Sequence, residues 1–427
     1  MIKRIAAITF IFACSWVAWG YLSEVMDDRT GEAYGEMRDA VGGLWGTVHY
    51  QNAPKLMLTW TENVWDKDWG DVKEVPKSES RELSGSSINV DIDLDYRRKG
   101  LIWFSTYKVG FSGTYQVKNP LDRPVEAVFT FYYPSSESYY ENMEFLVDGR
   151  EMEVTSAGGA LQAKFDLSPG QKKVVQVGYS SKGLDDWYYI FGEDSGIIKD
   201  FRLAMTTDFD DIDFPSGSIS PDRKENLDGE GWKLVWEKSS MVSAAKIGMA
   251  CPHRLNPGPL ASAMSGHAPV SLLFFFFVII LIQEMRSLKI HPMNYFFLAA
   301  SFFAFNLLFS YLVDHIDVKL AFAISSVVSI SLVVSYLRLV VGLGFAIKVA
   351  GLSQLVYQVL FGVAHFFEGF TGLTITIGAI ATLALVMHVT AKIDWEAAFK
   401  DKGWGKLPSI RKKAGADQPP PIPGGGA

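Results

Sequence analysis

The sequence is poor in cysteine and lacks the short motifs that define many enzyme families. Its 427 residues include two cysteines, Cys14 and Cys251, which are too few for a disulfide framework and too far apart for a Cys-based zinc site. A Gly-x-Ser-x-Gly elbow, a Walker phosphate loop, a dinucleotide fingerprint and a His-Glu-x-x-His zinc motif are all missing. These absences exclude only families defined by such motifs, because a catalytic triad is recognised by its geometry.

The sequence also lacks a strong charge bias and an internal repeat of fixed period. A formal net charge of -7 argues against a nucleic-acid-binding protein. What the chain has instead is apolar and aromatic sequence, with 14% aromatic residues and a mean hydropathy of +0.12. This combination is unusual for a soluble chain and indicates membrane-spanning segments.

The first apolar run covers about 5–22 and follows a basic start. Such a segment is either a cleaved signal peptide or a permanent anchor. Trp16, Trp19 and Tyr21 occupy the region where a small-x-small cleavage site would stand, which favours the anchor. A lipoprotein interpretation at Cys14 is less favoured, because apolar sequence continues after it.

Five more runs of membrane length crowd the C-terminal part of the chain, so that the sequence predicts six spans. These runs are 268–285, 292–313, 318–338, 344–366 and 370–391. Basic residues stand before span one, between spans two and three, between spans four and five, and after span six. The positive-inside rule therefore predicts two cytoplasmic termini and places the long segment from about 24 to 266 in the periplasm.

The long external segment has the pattern of β-structure. Strand-forming residues fill 124–133, Asp148-Gly149 separates two short runs, and Trp232, Leu234 and Trp236 alternate. These signals predict an antiparallel sandwich fold. They are compatible with one sandwich or with two. A helical stalk is predicted before them, at 29–45.

The predicted fold is thus a membrane α-helical bundle plus an all-β, antiparallel sandwich-like periplasmic domain, with an N-terminal anchor helix. The predicted boundaries are 1–26 for the anchor, 27–266 for the β-rich domain, 267–395 for a five-helix bundle and 396–427 for a cytoplasmic tail that is disordered at its end.

Three motifs stand at the ends of the predicted spans. Spans two and three are joined by Glu284, a basic turn and the run His291-Pro292-Met293-Asn294-Tyr295. Span three ends with Asp314-His315. The last span opens at Glu368 and closes with Met387, Thr390 and Lys392-Ile393-Asp394-Trp395. These motifs resemble those of the CreD family of bacterial inner membrane proteins, which has glutamine at the position of Asn294 and glutamate at the position of Asp314.

Weaker similarity lies outside the membrane, in 43–54, in 97–113 and ahead of span two, where a tryptophan usual in the family is missing. The resemblance implies a bacterial inner membrane protein with a role in cell-envelope integrity or stress response. It implies no catalytic residues and no cofactor.

Polar residues are predicted to cluster at both membrane faces. The cytoplasmic-face cluster consists of Glu284, His291, Tyr295, Asp394 and Trp395. Ionisable groups at such depths are costly unless they are solvated or paired. Structural locking or interfacial anchoring is favoured, and a proton relay is the alternative.

The periplasmic-face cluster consists of Asp314, His315, His365 and Glu368. His365 and Glu368 stand three apart and would share one face of a helix. That spacing serves metal sites, but the pair alone is a weak signal. Solvated helix ends are therefore favoured over a metal, proton or partner site, and no metal is predicted.

Two further segments are candidate surfaces in the external domain. Tyr132, Tyr133, Tyr139 and Tyr140 form a candidate partner face, although strand alternation assigns about half of the tyrosines to a sandwich core. The acidic stretch 208–217 lacks EF-hand spacing, so an exposed acidic turn is favoured over a calcium site.

Three functional classes remain open. We favour a non-catalytic scaffold whose periplasmic domain binds a protein partner and whose bundle contacts membrane lipid, with an oligomer compatible with the sequence. A transporter or channel component is the second class, in which Gln354 and His388 would line a path. The third is a membrane enzyme acting on a lipid or glycan, with Asp314, His365 and Glu368 as candidates.

Overall fold

A computed structural model describes residues 2–66, 71–100, 102–192, 196–242, 245–286, 288–367 and 369–391. The chain forms two compact units. Among the described residues, the membrane unit comprises 2–23, 263–309 and 319–391. The β-unit comprises Glu24–Ser262 and Ser310–Val318.

Six described helices are long and apolar enough to cross a membrane, which confirms the predicted bundle and anchor. They are α1 (Ile2–Trp45), α2 (Pro257–Met285), α3 (Pro292–Leu312), α4 (Val318–Val340), α5 (Leu343–Phe366) and α6 (Thr371–Thr390). Proline opens both α2 and α3, where its missing N–H leaves no hydrogen bond unmade. The first half of α1 belongs to the membrane unit, and its second half, from Glu24 to Trp45, is the stalk of the β-unit.

Helix α5 is wound irregularly. Two π-helical segments, Ala346–Gly351 and Leu355–Leu360, flank one short α-helical turn, Leu352–Gln354. Segments of this kind are rare and often mark functional positions. They stand on either side of the buried Gln354, which the sequence had identified as a polar residue inside a span.

The β-unit contains sixteen described strands. They are β1 (His49–Asn52), β2 (Lys55–Asp66), β3 (Asp71–Arg81), β4 (Gly85–Lys99), β5 (Ile102–Lys118), β6 (Val125–Tyr132), β7 (Tyr140–Val147), β8 (Arg150–Glu151), β9 (Thr155–Ala157), β10 (Ala160–Leu167), β11 (Lys172–Leu184), β12 (Asp186–Ile190), β13 (Ile198–Thr207), β14 (Arg223–Asn226), β15 (Trp232–Met241) and β16 (Lys246–Ala250).

The strands form three sheets. An eight-stranded sheet has the order β14-β15-β13-β4-β5-β11-β7-β8, a five-stranded sheet the order β3-β2-β6-β10-β9, and a small sheet the order β1-β12-β16. Pairing is mostly antiparallel, as predicted, but β1–β12 and β4–β13 are parallel. Parallel neighbours require a long crossover connection, which short-range patterns do not reveal.

One continuous core joins the three sheets, so the β-unit is a single packed body and not two separate sandwiches. Aromatic rings from facing sheets meet inside it, with centroids 5.8 Å apart for Phe111 and Phe131 and 5.7 Å apart for Tyr115 and Phe129. Trp187 of the small sheet is completely buried in the same core.

The hairpin predicted at Asp148-Gly149 is confirmed. Both residues have positive φ, at 50° and 74°, and they connect β7 to β8 directly. Two consecutive left-handed residues match the twist of the flanking strands, which explains the preference for Asp-Gly here.

Candidate functional site

A cavity of about 290 Å³ lies within the β-unit, where the stalk meets the ends of α2 and α3. We call it the stalk pocket. Four elements line the pocket. They are the stalk, the β4–β5 turn, the start of α2 and the end of α3. The apolar lining residues are Met26, Ala33, Met37, Ile102, Ala261 and Val313.

Close packing holds the start of α2 against the stalk. A Cβ at Gly258 would lie 2.4 Å from the Thr30 hydroxyl oxygen, so only glycine permits this approach. The β4–β5 turn reaches the stalk through Gly100, whose φ of 62° is natural for glycine and whose backbone faces Met37.

Few polar groups converge on the stalk pocket. Arg29 of the stalk forms an ion pair with Asp314, and its guanidinium carbon lies 5.5 Å from the centre of the Tyr311 ring. Ser310 is 1% exposed, and its hydroxyl has no partner among the described residues. A mostly apolar wall with a few oriented polar groups is typical of ligand sites.

Two arginine side chains lie over the ring of Trp103. The guanidinium carbons of Arg254 and Arg98 lie 4.6 and 5.7 Å from the centre of its ring. Asn256, which lines the pocket, donates to the Trp103 carbonyl and accepts from its N–H, at 3.1 and 2.8 Å. These two bonds hold the main chain of Trp103 against Asn256.

The stalk is held to the sheets by an ion pair. Arg38 donates from Nε and Nη2 to Oδ2 of Asp185, at 2.9 and 2.8 Å. The side chain of Asp185 is 12% exposed, and its backbone has a positive φ of 64°. Val41 of the stalk packs against Phe104 and Leu184 in a separate small core.

The residues of the predicted periplasmic-face cluster have different surroundings. Asp314 pairs with Arg29 in the β-unit, and His315 is exposed. His365 belongs to the membrane unit, where its Nε2 lies 3.1 Å from Nδ1 of His267. Glu368 lies outside the described residues. His267 was missed because it stands almost one hundred positions away in the sequence and forms no short motif with His365.

The predicted cytoplasmic-face cluster is partly assembled. Glu284 forms an ion pair with Arg4 of α1 at 3.5 Å. The Tyr295 hydroxyl donates to Gln283 at 2.9 Å, and Nδ1 of His291 accepts from the N–H of Met293 at the start of α3. Asp394 and Trp395 lie outside the described residues. The Glu284 and Tyr295 contacts each join two helices, whereas the His291 contact is local to the start of α3.

Three of the four tyrosines proposed as a partner face are at least partly buried. Tyr133 and Tyr140 stack at 5.0 Å and pack against the large core. Burial raises the pKa of Tyr140 to about 12. Tyr132 is half-buried, and Tyr139, at 48% exposure, accepts a hydrogen bond from Lys182.

Two carboxylates of the acidic stretch 208–217 accept hydrogen bonds from backbone N–H groups. Asp208 accepts from the Leu94 N–H and Asp213 from the Phe214 N–H, each at 2.8 Å. Within the described ranges, no group of three or more His, Cys, Asp or Glu residues has the arrangement of a metal site.

A polar network occupies the interior of the membrane unit. Gln354 donates to the Ser329 hydroxyl and to Oε1 of Gln358, both at 2.7 Å. Gln358 donates in turn to the Phe302 carbonyl at 3.0 Å. His388, by contrast, is exposed and contacts the Ala384 carbonyl of its own helix.

Comparison with known protein families gives a match in the C-terminal part of the chain. Residues 267–396 match the family described as inner membrane protein CreD, which confirms the resemblance seen in the sequence. No curated protein matches the chain.

Solved structures show only distant likeness. A putative nutrient binding protein from Legionella pneumophila has 10% identity and a TM-score of 0.31, and the match covers 54% of this chain and 76% of that one. An M1 zinc metallopeptidase from Deinococcus radiodurans has 9% identity and a TM-score of 0.26, covering 40% and 42%. Leukotriene A4 hydrolase from Saccharomyces cerevisiae has 10% identity and a TM-score of 0.22, covering 40% and 29%. This chain thus spans less than half of the last two, and scores this low carry no argument about function.

Proposed function

Taking the membrane helices to be those of a CreD-family inner membrane protein, we propose that this chain is a non-catalytic envelope-integrity protein. In this proposal its β-unit lies in the periplasm, responds to a partner or to the state of the envelope, and passes that response to the membrane helices. The termini lie in the cytoplasm.

The distribution of basic residues supports this orientation. Lys3 and Arg4 lie in the first turn of α1, Arg286 and Lys289 follow α2, and Arg338 lies in the last turn of α4. The positive-inside rule assigns these ends to the cytoplasm. A membrane-impermeant maleimide tests the assignment in intact spheroplasts, with Thr155→Cys on the exposed strand β9 as the reporter. Labelling from outside supports the orientation, and labelling only after lysis overturns it.

The proposed coupling of the β-unit to the membrane helices rests on one observation. The compact unit that holds the three sheets also contains the stalk of α1, the start of α2 and the turn between α3 and α4. Within that unit, the Arg38–Asp185 pair joins the stalk to the sheets, and the Arg29–Asp314 pair joins the stalk to the α3–α4 turn. A displacement of the sheets would therefore reach three membrane-spanning elements.

The test of coupling is genetic complementation. The full chain is expressed in a bacterial strain that lacks its own CreD-family protein. The permeability of the envelope to a large hydrophobic antibiotic is then measured. Arg38→Ala is expected to lose protection while membrane levels of the protein stay normal. Arg223→Ala on strand β14 serves as the matched control. It removes the ion pair with Glu237, whose length of 2.8 Å equals that of the Arg38–Asp185 pair. Equal protection by both variants would contradict the coupling role.

The polar interior of the membrane unit supports a second candidate, a transporter or channel component. Gln354, Gln358 and Ser329 are buried at mid-helix, where polar side chains are costly unless they are paired or functional. Gln354→Leu distinguishes the candidates. A conducting path is expected to lose ion or solute flux in proteoliposomes, whereas a scaffold keeps its envelope protection.

A further inference from the structure

We propose that His267, His365 and Met264 form a binding site for a monovalent copper ion, Cu⁺, inside the membrane unit. The three side chains line one cavity, whose walls come from α2, α3, α5 and α6. All three residues belong to the same compact unit. This inference goes beyond the proposed envelope function and does not depend on it.

Two imidazole nitrogens converge at the cavity. Nε2 of His365 lies 3.1 Å from Nδ1 of His267, and the centroids of the two rings are 5.1 Å apart. Two metal–imidazole bonds of about 2.0–2.1 Å span at most about 4 Å, so one ion reaches both nitrogens. The two histidines stand on α2 and α5, and an ion bound to both would join these helices.

The hydrogen bonds around the pair leave a lone pair for an ion. Nδ1 of His365 lies 3.1 Å from the Phe361 carbonyl oxygen, and Nδ1 of His267 lies 2.9 Å from the Ala263 carbonyl oxygen. Carbonyl oxygens only accept, so these contacts place a hydrogen on each Nδ1 and leave Nε2 of His365 as a bare acceptor. That nitrogen and the Ala263 carbonyl then compete for the one Nδ1 hydrogen of His267. A cation bound to Nε2 of His365 ends this competition.

Met264 supplies a third ligand. It precedes His267 by three residues on α2, so the two side chains lie on one face of the helix. Met264 is 4% exposed, and its Cε would lie 3.1 Å from a Cβ at Gly362. Gly362 stands three residues before His365 on α5. The sulfur of Met264, one bond from that carbon, therefore lies close to the α5 wall of the cavity.

The ligand set favours Cu⁺ over a divalent ion. A thioether is a soft ligand that selects Cu⁺, and imidazole also binds copper. In the described part of the chain no carboxylate lines the cavity, and uncompensated charge inside a membrane is costly. A single positive charge is therefore the easiest to accommodate. Because one ligand is a methionine, this site differs from the groups of His, Cys, Asp and Glu that the described residues lack.

The cavity has room for an ion and a route of entry. Its volume of about 20 Å³ exceeds the roughly 10–15 Å³ that one water molecule needs. His365 is the penultimate residue of α5, and the side chain of His267 is exposed. An ion would therefore enter past His267 near the end of a membrane helix.

Anaerobic titration of the purified full-length protein in detergent provides the test, with bicinchoninate as the coloured competitor for Cu⁺. All proteins carry Cys14→Ser, because an exposed thiol also binds Cu⁺. We expect one Cu⁺ per chain, and Met264→Leu and His365→Gln should each weaken binding by more than about tenfold. Met293→Leu and His388→Gln change an exposed methionine and an exposed histidine, and these matched controls should leave the affinity unchanged.

Two results of the titration would overturn the proposal. One is a Cu⁺ affinity that either Met264→Leu or His365→Gln leaves unchanged. The other is Zn²⁺ that binds the site as tightly as Cu⁺ does. Thermal unfolding is measured for every variant. If His365→Gln does not fold, X-ray absorption at the copper edge of the loaded Cys14→Ser protein decides, because a sulfur neighbour is expected and nitrogen or oxygen neighbours alone exclude the site.

Discussion

Nε2 of His49 lies 3.1 Å from the Ser138 hydroxyl oxygen, and the imidazole is completely buried in the β-unit. Its Nδ1 has no partner among the described residues. Burial lowers the pKa of His49 from its ordinary value to about 4, because the charged ring loses its hydration. The folded protein therefore holds this ring neutral at a pH where an unfolded chain protonates it.

This difference predicts a pH-dependent stability. Between about pH 6.5 and pH 4 the unfolded state binds one more proton than the folded state, so stability falls as pH is lowered through that window and is fully present above it. The pKa of about 4 against about 6.5 corresponds to roughly 3 kcal/mol. The measurement is chemical unfolding of the full chain in micelles at several pH values. His49→Gln should flatten the pH profile, and a profile as steep as the wild type's would exclude His49 as its cause.

Arg38→Ala is expected to destabilise the β-unit by about 2 kcal/mol, because it leaves the carboxylate of Asp185 largely buried without its charged donor. The double variant R38A/D185N should recover most of this loss, since asparagine tolerates the positive φ at that position and carries no charge. Thermal unfolding of the four proteins of this cycle is the measurement. Additive losses would show that the two side chains are not coupled.

The two glutamines of the membrane unit should respond unequally to substitution by leucine. Gln358 donates to the Phe302 carbonyl and accepts from Gln354, so Gln358→Leu breaks a network and should cost about 1 kcal/mol. Gln354 carries a buried Oε1 without a described partner, and Gln354→Leu also removes that unpaired acceptor. Gln354→Leu should therefore reduce stability less than Gln358→Leu does. Detergent-induced unfolding measures both, and the reverse order would contradict the network.

Two glycine-to-alanine substitutions should change the stability of the protein in opposite directions. A Cβ at Gly183 would lie 2.3 Å from the Tyr107 ring, whose hydroxyl donates to the Asp186 carbonyl. Gly183→Ala should cost about 1–3 kcal/mol by displacing that ring. Gly35 lies on the exposed face of the stalk with no atom near its Cβ position, so Gly35→Ala should add up to about 1 kcal/mol of helix stability. Thermal unfolding distinguishes the two, and equal shifts would contradict the packing of Tyr107.

Local patterns in the sequence predicted the elements of this fold well. The membrane spans follow from runs of apolar residues, the stalk from a helical pattern at 29–45, and the β7–β8 hairpin from Asp148-Gly149. Each of these signals acts over fewer than about thirty neighbouring residues, and the apolar face or turn is fixed before tertiary contacts form.

Contacts between distant residues escaped prediction. Arg38 and Asp185, His267 and His365, and the ring stack at Trp103 each join segments far apart in sequence. Nothing in a single sequence specifies which of many arginines meets which aspartate. The tyrosines at 132–140 were also assigned incompletely. Strand alternation indicates that some of them are buried, but it does not identify which face of the strand packs against the core.

The parallel pair β1–β12 also constrains the order of folding. His49 is aligned with Trp187, and Trp187 is aligned with Met249 on its other side, so the small sheet unites the beginning, middle and end of the β-unit. Contacts of such long sequence separation form slowly, because a large loop must close before they contribute. Strand β1 therefore has no partner strand until synthesis has passed Ile190.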